Sequence, residues 1–264
     1  MEEIYFQQIF KCEKEHWWYR GRRELLKWVV APLVTTNRSK ILDVGCGGGY
    51  TLDLLTAFGD VNGADISPQA VAHCRDNGFE NTILVEENRP LPFIKNNFDL
   101  ITCLDVLEHI HDDQNCLLDI KRILAPSGYL VLFVPALHIL WSKLDDGAHH
   151  YRRYTKRQLF ERLKNCGYKV KKISYFNFLL FPPIFLIRIF QKLYFFQKNK
   201  WGVHPIIRST WINKILMAIF RLDIVLLRWI SPVFGVSIFA VAQKMTTTEF
   251  FNEDSSNDDA IVQN

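Results

Sequence analysis

Two groups of residues in this chain have the types and spacing to hold a small ligand and act on it. The first is a glycine run, Asp43-Val44-Gly45-Cys46-Gly47-Gly48-Gly49, which follows the short apolar stretch from Lys40 and leads into TLDLLTAFG. Glycines let the backbone turn tightly and let a ligand approach the main chain. In an open α/β sheet the loop after the first strand is where ligands sit. Asp65 closes a second apolar stretch 20 residues after Gly45, the separation at which a carboxylate takes the hydroxyls of a ribose. The pair indicates a nucleoside ligand. A dinucleotide fingerprint would place a third glycine at position 50, where this chain has Tyr50, so an NAD-dependent oxidoreductase is disfavoured and no pyrophosphate is required.

The second group could move protons. Asp105-Val106-Leu107-Glu108-His109-Ile110-His111 follows an apolar stretch, FDLITCL. His109 titrates near neutrality and could act as a general base, or it could be a structural histidine that fixes its loop. Further on stands Asp145-Asp146-Gly147-Ala148-His149-His150-Tyr151-Arg152-Arg153-Tyr154. His149 and Tyr151 join His109 as candidate proton carriers, while His150, Arg152, Arg153 and Tyr154 suit an anionic or hydroxyl-rich acceptor. The alternative is a loop clamp in which Arg152 and Arg153 pair with Asp145 and Asp146. Cys46 and Cys103 read as small core groups and not as nucleophiles.

These residues need a scaffold, and the apolar pattern supplies one. Short strands (40–44, 60–65, TILVEE, FDLITCL, YLVLFVP, 168–175) alternate with helices that open at Thr51, Pro68, Asp112 and Thr155. Ser67-Pro68 is a helix-start signal, and Thr155 is a good N-cap. Strand–helix alternation at this pitch means right-handed βαβ units and a doubly wound, mostly parallel sheet. Residues 1–39 are helical and polar-aromatic, with Trp17, Trp18 and Tyr19 serving either as a lid over the ligand or as core packing.

Length and composition fit this picture: 264 residues, 48% apolar and 23% charged, an ordinary globular balance. Collagen, coiled coil and global disorder are excluded. The net charge of +4 conceals an uneven distribution, with eight Lys/Arg against the single acid Asp223 in 176–234 and five acids without a base in 245–264. Six unpaired-looking cysteines and an N-terminus without the layout of a secretory signal imply a reduced, cytoplasmic setting. No apolar run reaches 18 residues, and the nearest, Ile173 to Ile187, is broken by Pro182-Pro183, so a spanning helix is not expected. From Ser209 to Ile230 the pattern is helical, with Lys214, Arg221 and Arg228 seven apart on one face and tryptophans nearby. Such a helix can rest at the inner face of a membrane or cap the sheet or a second subunit. The basic residues are interleaved with aliphatic runs, which argues against nucleic acid as a partner.

As a set, DVGCGGG, ADIS, LPF before FDLITCLDVLEHI, and LAPSGYLVLFVP resemble the class I S-adenosylmethionine-dependent methyltransferases over about 38–175 and 236–243. The branch it is most similar to carries a GHxRRY element, matched here around His149. The resemblance implies a seven-stranded Rossmann-like α/β sheet with S-adenosylmethionine as methyl donor. It also implies cofactor contacts from Gly45, Cys46 and Gly47 to the methionine part, with Asp43 supporting its ammonium. Asp65 would bind the ribose, Ile66 would cover the adenine, Glu87 and Asn88 would lie at its edge with Glu86 as a competitor, and Leu104 and Asp105 would line the methionine. Asp105, Glu108 and His109 resemble an acid-acid-His set that certain quinone O-methyltransferases use for a divalent ion, although no metal is included in the expected site. The domains follow: 1–39 a helical lid, 40–175 with 235–244 the cofactor domain, 176–234 a helical insertion between strands six and seven, and 245–264 a disordered acidic tail. Methyl transfer to oxygen of a small-molecule, saccharide or lipid-linked acceptor is the activity implied; a silent cofactor-binding or regulatory protein is the alternative.

Overall fold

The glycine run begins where strand β1 (Ser39–Val44) ends, in a computed structural model that describes residues 13–34, 36, 38–194 and 210–245. Helix α1 (Trp17–Val30) precedes β1, and α2 (Tyr50–Leu55) follows the glycines. Then come β2 (Gly59–Asp65), α3 (Pro68–Asp76), β3 (Thr82–Leu84) and β4 (Phe98–Leu104). A one-turn helix at Leu107–His109 leads to α4 (Asp113–Ile123), β5 (Leu124–Pro135), the short α5 (Lys143–Gly147) and α6 (Lys156–Asn165). The chain continues through β6 (Tyr168–Phe176), α7 (Phe181–Tyr194), α8 (Thr210–Leu226) and β7 (Ser237–Lys244). The expected acidic tail from 246 onward lies outside the described residues, as does the segment 195–209.

The seven strands form one sheet in the order β3-β2-β1-β4-β5-β7-β6, with β7 antiparallel to both neighbours and the other pairings parallel. This is the expected Rossmann-like methyltransferase topology. The strand order reverses between β1 and β4, so their carboxyl ends open the crevice in which such sheets bind ligands. Register places Asp43 beside Thr102 across that switch.

Strand residues alternate between two apolar layers, as the pleat requires. Leu42, Ile101, Leu132 and Ala240 pack with α4 and α6 on one face, whereas Ile41, Leu100, Phe133 and Phe239 meet α1 and α8 on the other. The helix that precedes the sheet and the helix inserted between its last two strands thus cover the same face. Their close approach depends on Gly21: a Cβ there would come 2.6 Å from the Phe220 ring. Pro182 and Pro183, which break the longest apolar run, stand in the first turn of α7, where a missing N–H costs nothing. The lone acid of the insertion is also structural, because buried Asp223 accepts hydrogen bonds from the backbone N–H of Asn177 (2.7 Å) and Leu179 (3.0 Å). No helix among the described residues is long and apolar enough to cross a membrane.

Candidate active site

At the β1/β4 switch lies a cavity of about 230 Å³, walled by the glycine loop and the ends of β1 and β4 and roofed by α1. That volume is below the roughly 300–1,000 Å³ of a whole-ligand site, so it encloses one end of a ligand and leaves the rest against open surface. Of the residues expected to hold a cofactor, Asp43, Gly45, Cys46, Gly47, Leu104 and Asp105 line it. Gly45 has φ +75°, and a Cβ on it would lie 2.2 Å from the Val106 side chain, so both the turn and the packing require glycine here.

Asp43 is almost wholly buried and accepts a 2.5 Å hydrogen bond from the Thr102 hydroxyl. Burial pushes its carboxyl up to about 7. A buried carboxylate without a cation is costly, and a cationic group in the cavity would offset that cost. Asp65, at the end of β2, accepts from the backbone N–H of Gly47 and of Ser67, each at 2.9 Å. These two bonds hold the carboxylate at the rim of the glycine loop. Ile66 is exposed just beyond it, and Glu87 and Asn88 are also exposed, outside the cavity wall. Glu86 pairs with Arg89 at 3.7 Å on the surface. The Cys46 thiol is pushed up by its hydrogen bond with Cys74 and by burial, which keeps it protonated and unreactive.

The cationic side of the cavity comes from α1. Tyr19, Arg22, Arg23 and Leu26 line it, on one helical face by their three- and four-residue spacing, while Trp17 and Trp18 turn to the core against Phe220. Buried Arg22 makes an ion pair with Asp105, its guanidinium lies 5.1 Å over the Phe133 ring, and its Nη1 has no hydrogen-bond partner among the described residues. Asp105 is held at φ +54°, a conformation uncommon for a residue with a side chain. Arg23 faces Glu13, whose carboxyl is pushed up to about 7, chiefly by burial, against the lowering effect of Arg23 and of the Gly48 backbone N–H. Arg22, Arg23, Glu13, Tyr50 and Thr51 are pocket residues that motif reading passed over. The signal was present in HWWYRGRR, where 19, 22, 23 and 26 recur at helical spacing, but the helix could equally have turned that face to solvent.

Beside the cavity the proton-moving candidates separate. His109 and His150 meet edge to face, with ring centroids 4.6 Å apart, and the His150 Nδ1 lies 3.0 Å from the Asp145 carboxylate. Burial, reinforced by the His150 charge, lowers the pKa of His109. Glu108, His109 and His150 bring one ligand atom each within 4.8 Å of one another. This trio could share a proton or admit a divalent ion, whereas Asp105 of the alternative metal set is engaged by Arg22. The Glu108 Oε2 is buried without a hydrogen-bond partner in the described residues, and burial pushes its carboxyl well up. His149 (φ +58°) is exposed at the end of α5 and Tyr151 is half exposed, its ring against His111.

Arg152, Arg153 and Tyr154 are engaged inside the protein. Arg152 pairs with Asp113 at 2.8 Å and donates to the His111 carbonyl. Arg153 pairs with Asp145 at 2.7 Å and donates to the Ala136 carbonyl, while the buried Tyr154 hydroxyl donates to Asp113 at 2.8 Å. Asp146 instead accepts from the Trp141 indole. The clamp therefore ties the segment after α5 to β5 and to the start of α4. Its consequence for the site is that His150 is fixed behind His109. Arg188 of α7 comes close enough to Arg153 and Asp145 for their charges to act on it, so the insertion borders this cluster.

Comparison with known proteins agrees with this geometry. Residues 42–132 match the Methyltransferase domain family model. A relative named ubiquinone biosynthesis O-methyltransferase, from Xanthomonas oryzae pv. oryzae, is 27% identical over 157 residues, covering 52% of this chain and 65% of the relative. The match thus spans just under two thirds of that relative's length. Among solved structures, a SAM dependent methyltransferase from Archaeoglobus fulgidus superposes with a TM-score of 0.55 at 20% identity, covering 90% of this chain and 99% of that one. A phosphoethanolamine N-methyltransferase from Haemonchus contortus, solved with S-adenosylhomocysteine, gives 0.55 at 18% identity, covering 84% and 52%. The matched segment, residues 42–132, contains the glycine loop and the ends of β1 and β4 that wall the cavity, so that part of the candidate site lies where the chain is similar to a methyltransferase domain, and the strand order agrees with the methyltransferase fold of the solved structures.

Proposed function

We propose that the chain transfers the methyl group of S-adenosylmethionine to an oxygen of a small acceptor by direct in-line displacement. The observation that carries this reading is the charge pattern of the cavity. Its wall carries buried Asp43 and the partly exposed Asp105 together with Arg22 and Arg23, a pattern complementary to the ammonium and carboxylate of an amino acid, with Asp65 at the rim available to a ribose. Asp43 receives the ammonium, and the unpartnered Nη1 of Arg22 is available to the carboxylate. Asp65 would take the ribose hydroxyls and Ile66 would cover the adenine, with Glu87 and Asn88 at its edge.

The sulfonium already makes the methyl group electrophilic, so the protein's task is to hold the acceptor in line and take its proton. His109, its pKa lowered by burial, would take the acceptor's hydroxyl proton as the methyl group passes from sulfur to oxygen, which would leave the neutral thioether S-adenosylhomocysteine. His150, held by Asp145, orients and polarises His109. Arg152, Arg153 and Tyr154 act by holding that loop, while His149 and Tyr151 stand at the open side as acceptor contacts. The relative's name, an O-methyltransferase, supports oxygen as the receiving atom. The apolar insertion beside the cluster favours an acceptor with a hydrophobic part, a lipid-linked hydroxyl before a free saccharide.

Titration calorimetry with S-adenosylmethionine and S-adenosylhomocysteine, followed by a radiolabelled methyl-transfer assay over phenolic, saccharide and polyprenyl acceptors, tests the reading. Asp65→Ala weakens cofactor binding by about 10–100-fold, the value of one or more hydrogen bonds to a charged group. His109→Gln lowers turnover by about 10²–10⁴-fold while cofactor affinity is unchanged. Cofactor binding without turnover on any acceptor would favour a silent regulatory protein; no binding of either sulfur ligand by the folded chain would refute the proposal.

A further inference from the structure

The outward face of α8 is apolar where a solvent-facing helix would be polar. Trp211, Ile215, Ala218, Leu222, Val225 and Trp229 are all exposed and recur every three or four residues along the helix and the turn that continues it. The two tryptophans at its ends are 65% and 84% exposed. Beside this stripe runs a row of cations, Lys214, Arg221 and Arg228, also exposed and spaced by seven. The opposite face, with Met217, Phe220 and Ile224, is already committed to α1 and the sheet, so the exposed stripe is surplus to folding.

The geometry points to this face as a docking surface for an anionic lipid bilayer, with α8 lying flat in the interface. A helix of 17 residues is roughly 25 Å long, and no described helix is long and apolar enough to span a membrane, so α8 rests on the bilayer without crossing it. Tryptophan at both ends suits the headgroup boundary, and the cations can snorkel to lipid phosphates while their stems cover apolar surface.

Charge selects this occupant over two others. A second copy paired antiparallel would set the cation row against its own copy, and a parallel pair would leave it without acids, because the single acid of the segment, Asp223, is buried and used by the backbone of residues 177 and 179. Glu24, on α1, meets Arg221 at 2.7 Å, leaving Lys214 and Arg228 as the cations that α8 presents for lipid. The chain's own segment 195–209 carries Lys198, Lys200 and Arg208 and no acid, so its charge opposes covering this row. The inference does not rest on the methyl-transfer reading, since it concerns binding alone.

Flotation of the full chain with phosphatidylcholine vesicles, with and without phosphatidylglycerol, tests it. The chain floats with the anionic vesicles, remains behind with the neutral ones, and is released as salt rises. Lys214→Gln with Arg228→Gln weakens partitioning by about fivefold per cation, about 25-fold together. Trp211→Ala with Trp229→Ala also releases the chain, and because these side chains are exposed both double variants keep the parent's melting temperature. Failure to bind anionic vesicles, equal binding to both kinds, or binding that neither double variant reduces would overturn the proposal. A dimer in light scattering that Trp229→Asp dissolves, without vesicle binding, would assign the face to a second copy and overturn it too.

Discussion

Asp43 shows how one buried carboxylate in the candidate site couples stability to pH. Its folded-state pKa, raised to about 7 from 3.8 by burial, means that the native state holds a proton which the unfolded chain releases at lower pH. That contribution to stability is complete below the unfolded value and is lost as pH rises through about 7. Glu13, also raised to about 7 from 4.5, acts in the same direction. The ligand-free protein should therefore melt at progressively lower temperature from about pH 5 to about pH 8. Asp43→Asn keeps an acceptor for the Thr102 hydroxyl and removes the charge, so it should flatten this decline and raise the melting temperature at the alkaline end while weakening cofactor binding. Calorimetric melts of both proteins across that range decide the matter; a variant that melts below the parent at the alkaline end would show that Asp43 is stabilised by something other than its proton.

Between elements, the contact that matters most for the site is the crossing of α1 and α8. Arg22 and Arg23 reach the cavity from α1, and the close approach of that helix to α8 depends on Gly21, which leaves room for the Phe220 ring. Gly21→Ala places a methyl 2.6 Å from that ring and should cost about 1–3 kcal/mol in urea unfolding, with an accompanying loss of cofactor affinity as Arg22 is displaced. Phe220→Leu in the same chain should recover part of both losses, as expected for residues in contact. Asp223→Ala leaves the N–H groups of Asn177 and Leu179 without their acceptor, at about 1–3 kcal/mol each. That loss should appear in hydrogen exchange at 177–179 before any global unfolding.

For the molecule as a whole, the two faces of one sheet serve different ends. The α4 and α6 face is a continuous apolar core, whereas the α1 and α8 face carries the core, the cavity roof and the outward apolar stripe together. Ligand and fold are thus linked: S-adenosylhomocysteine at a hundred times its Kd should add about 2.7 kcal/mol, a melting shift on the order of 5–10 °C for a chain of this size. NADH at the same concentration should give none. Equal shifts from both ligands in differential scanning fluorimetry would contradict the proposal that the cavity takes an amino-acid nucleoside.

Much of this was legible in the sequence because it rests on local physics. The alternation of apolar runs with capped helical stretches dictates a parallel sheet, and glycine at 45 and 47 with acids at 43 and 65 marks the ligand end. Even the pairing of Arg153 with Asp145 was available as one of two readings of the loop after α5. What only the tertiary structure decided is which faces meet. Helical spacing in HWWYRGRR and in 210–226 shows that each helix has sides, but not which side turns inward, because that choice depends on a partner more than 180 residues away, as Gly21 and Phe220 are. The same is true of Arg152, which pairs with Asp113 and not with its sequence neighbours, and of His150, which shares Asp145 with Arg153 and meets the His109 ring. Propensity and spacing act within a few residues, whereas burial and ion pairing are settled by surfaces that exist only when the chain has folded.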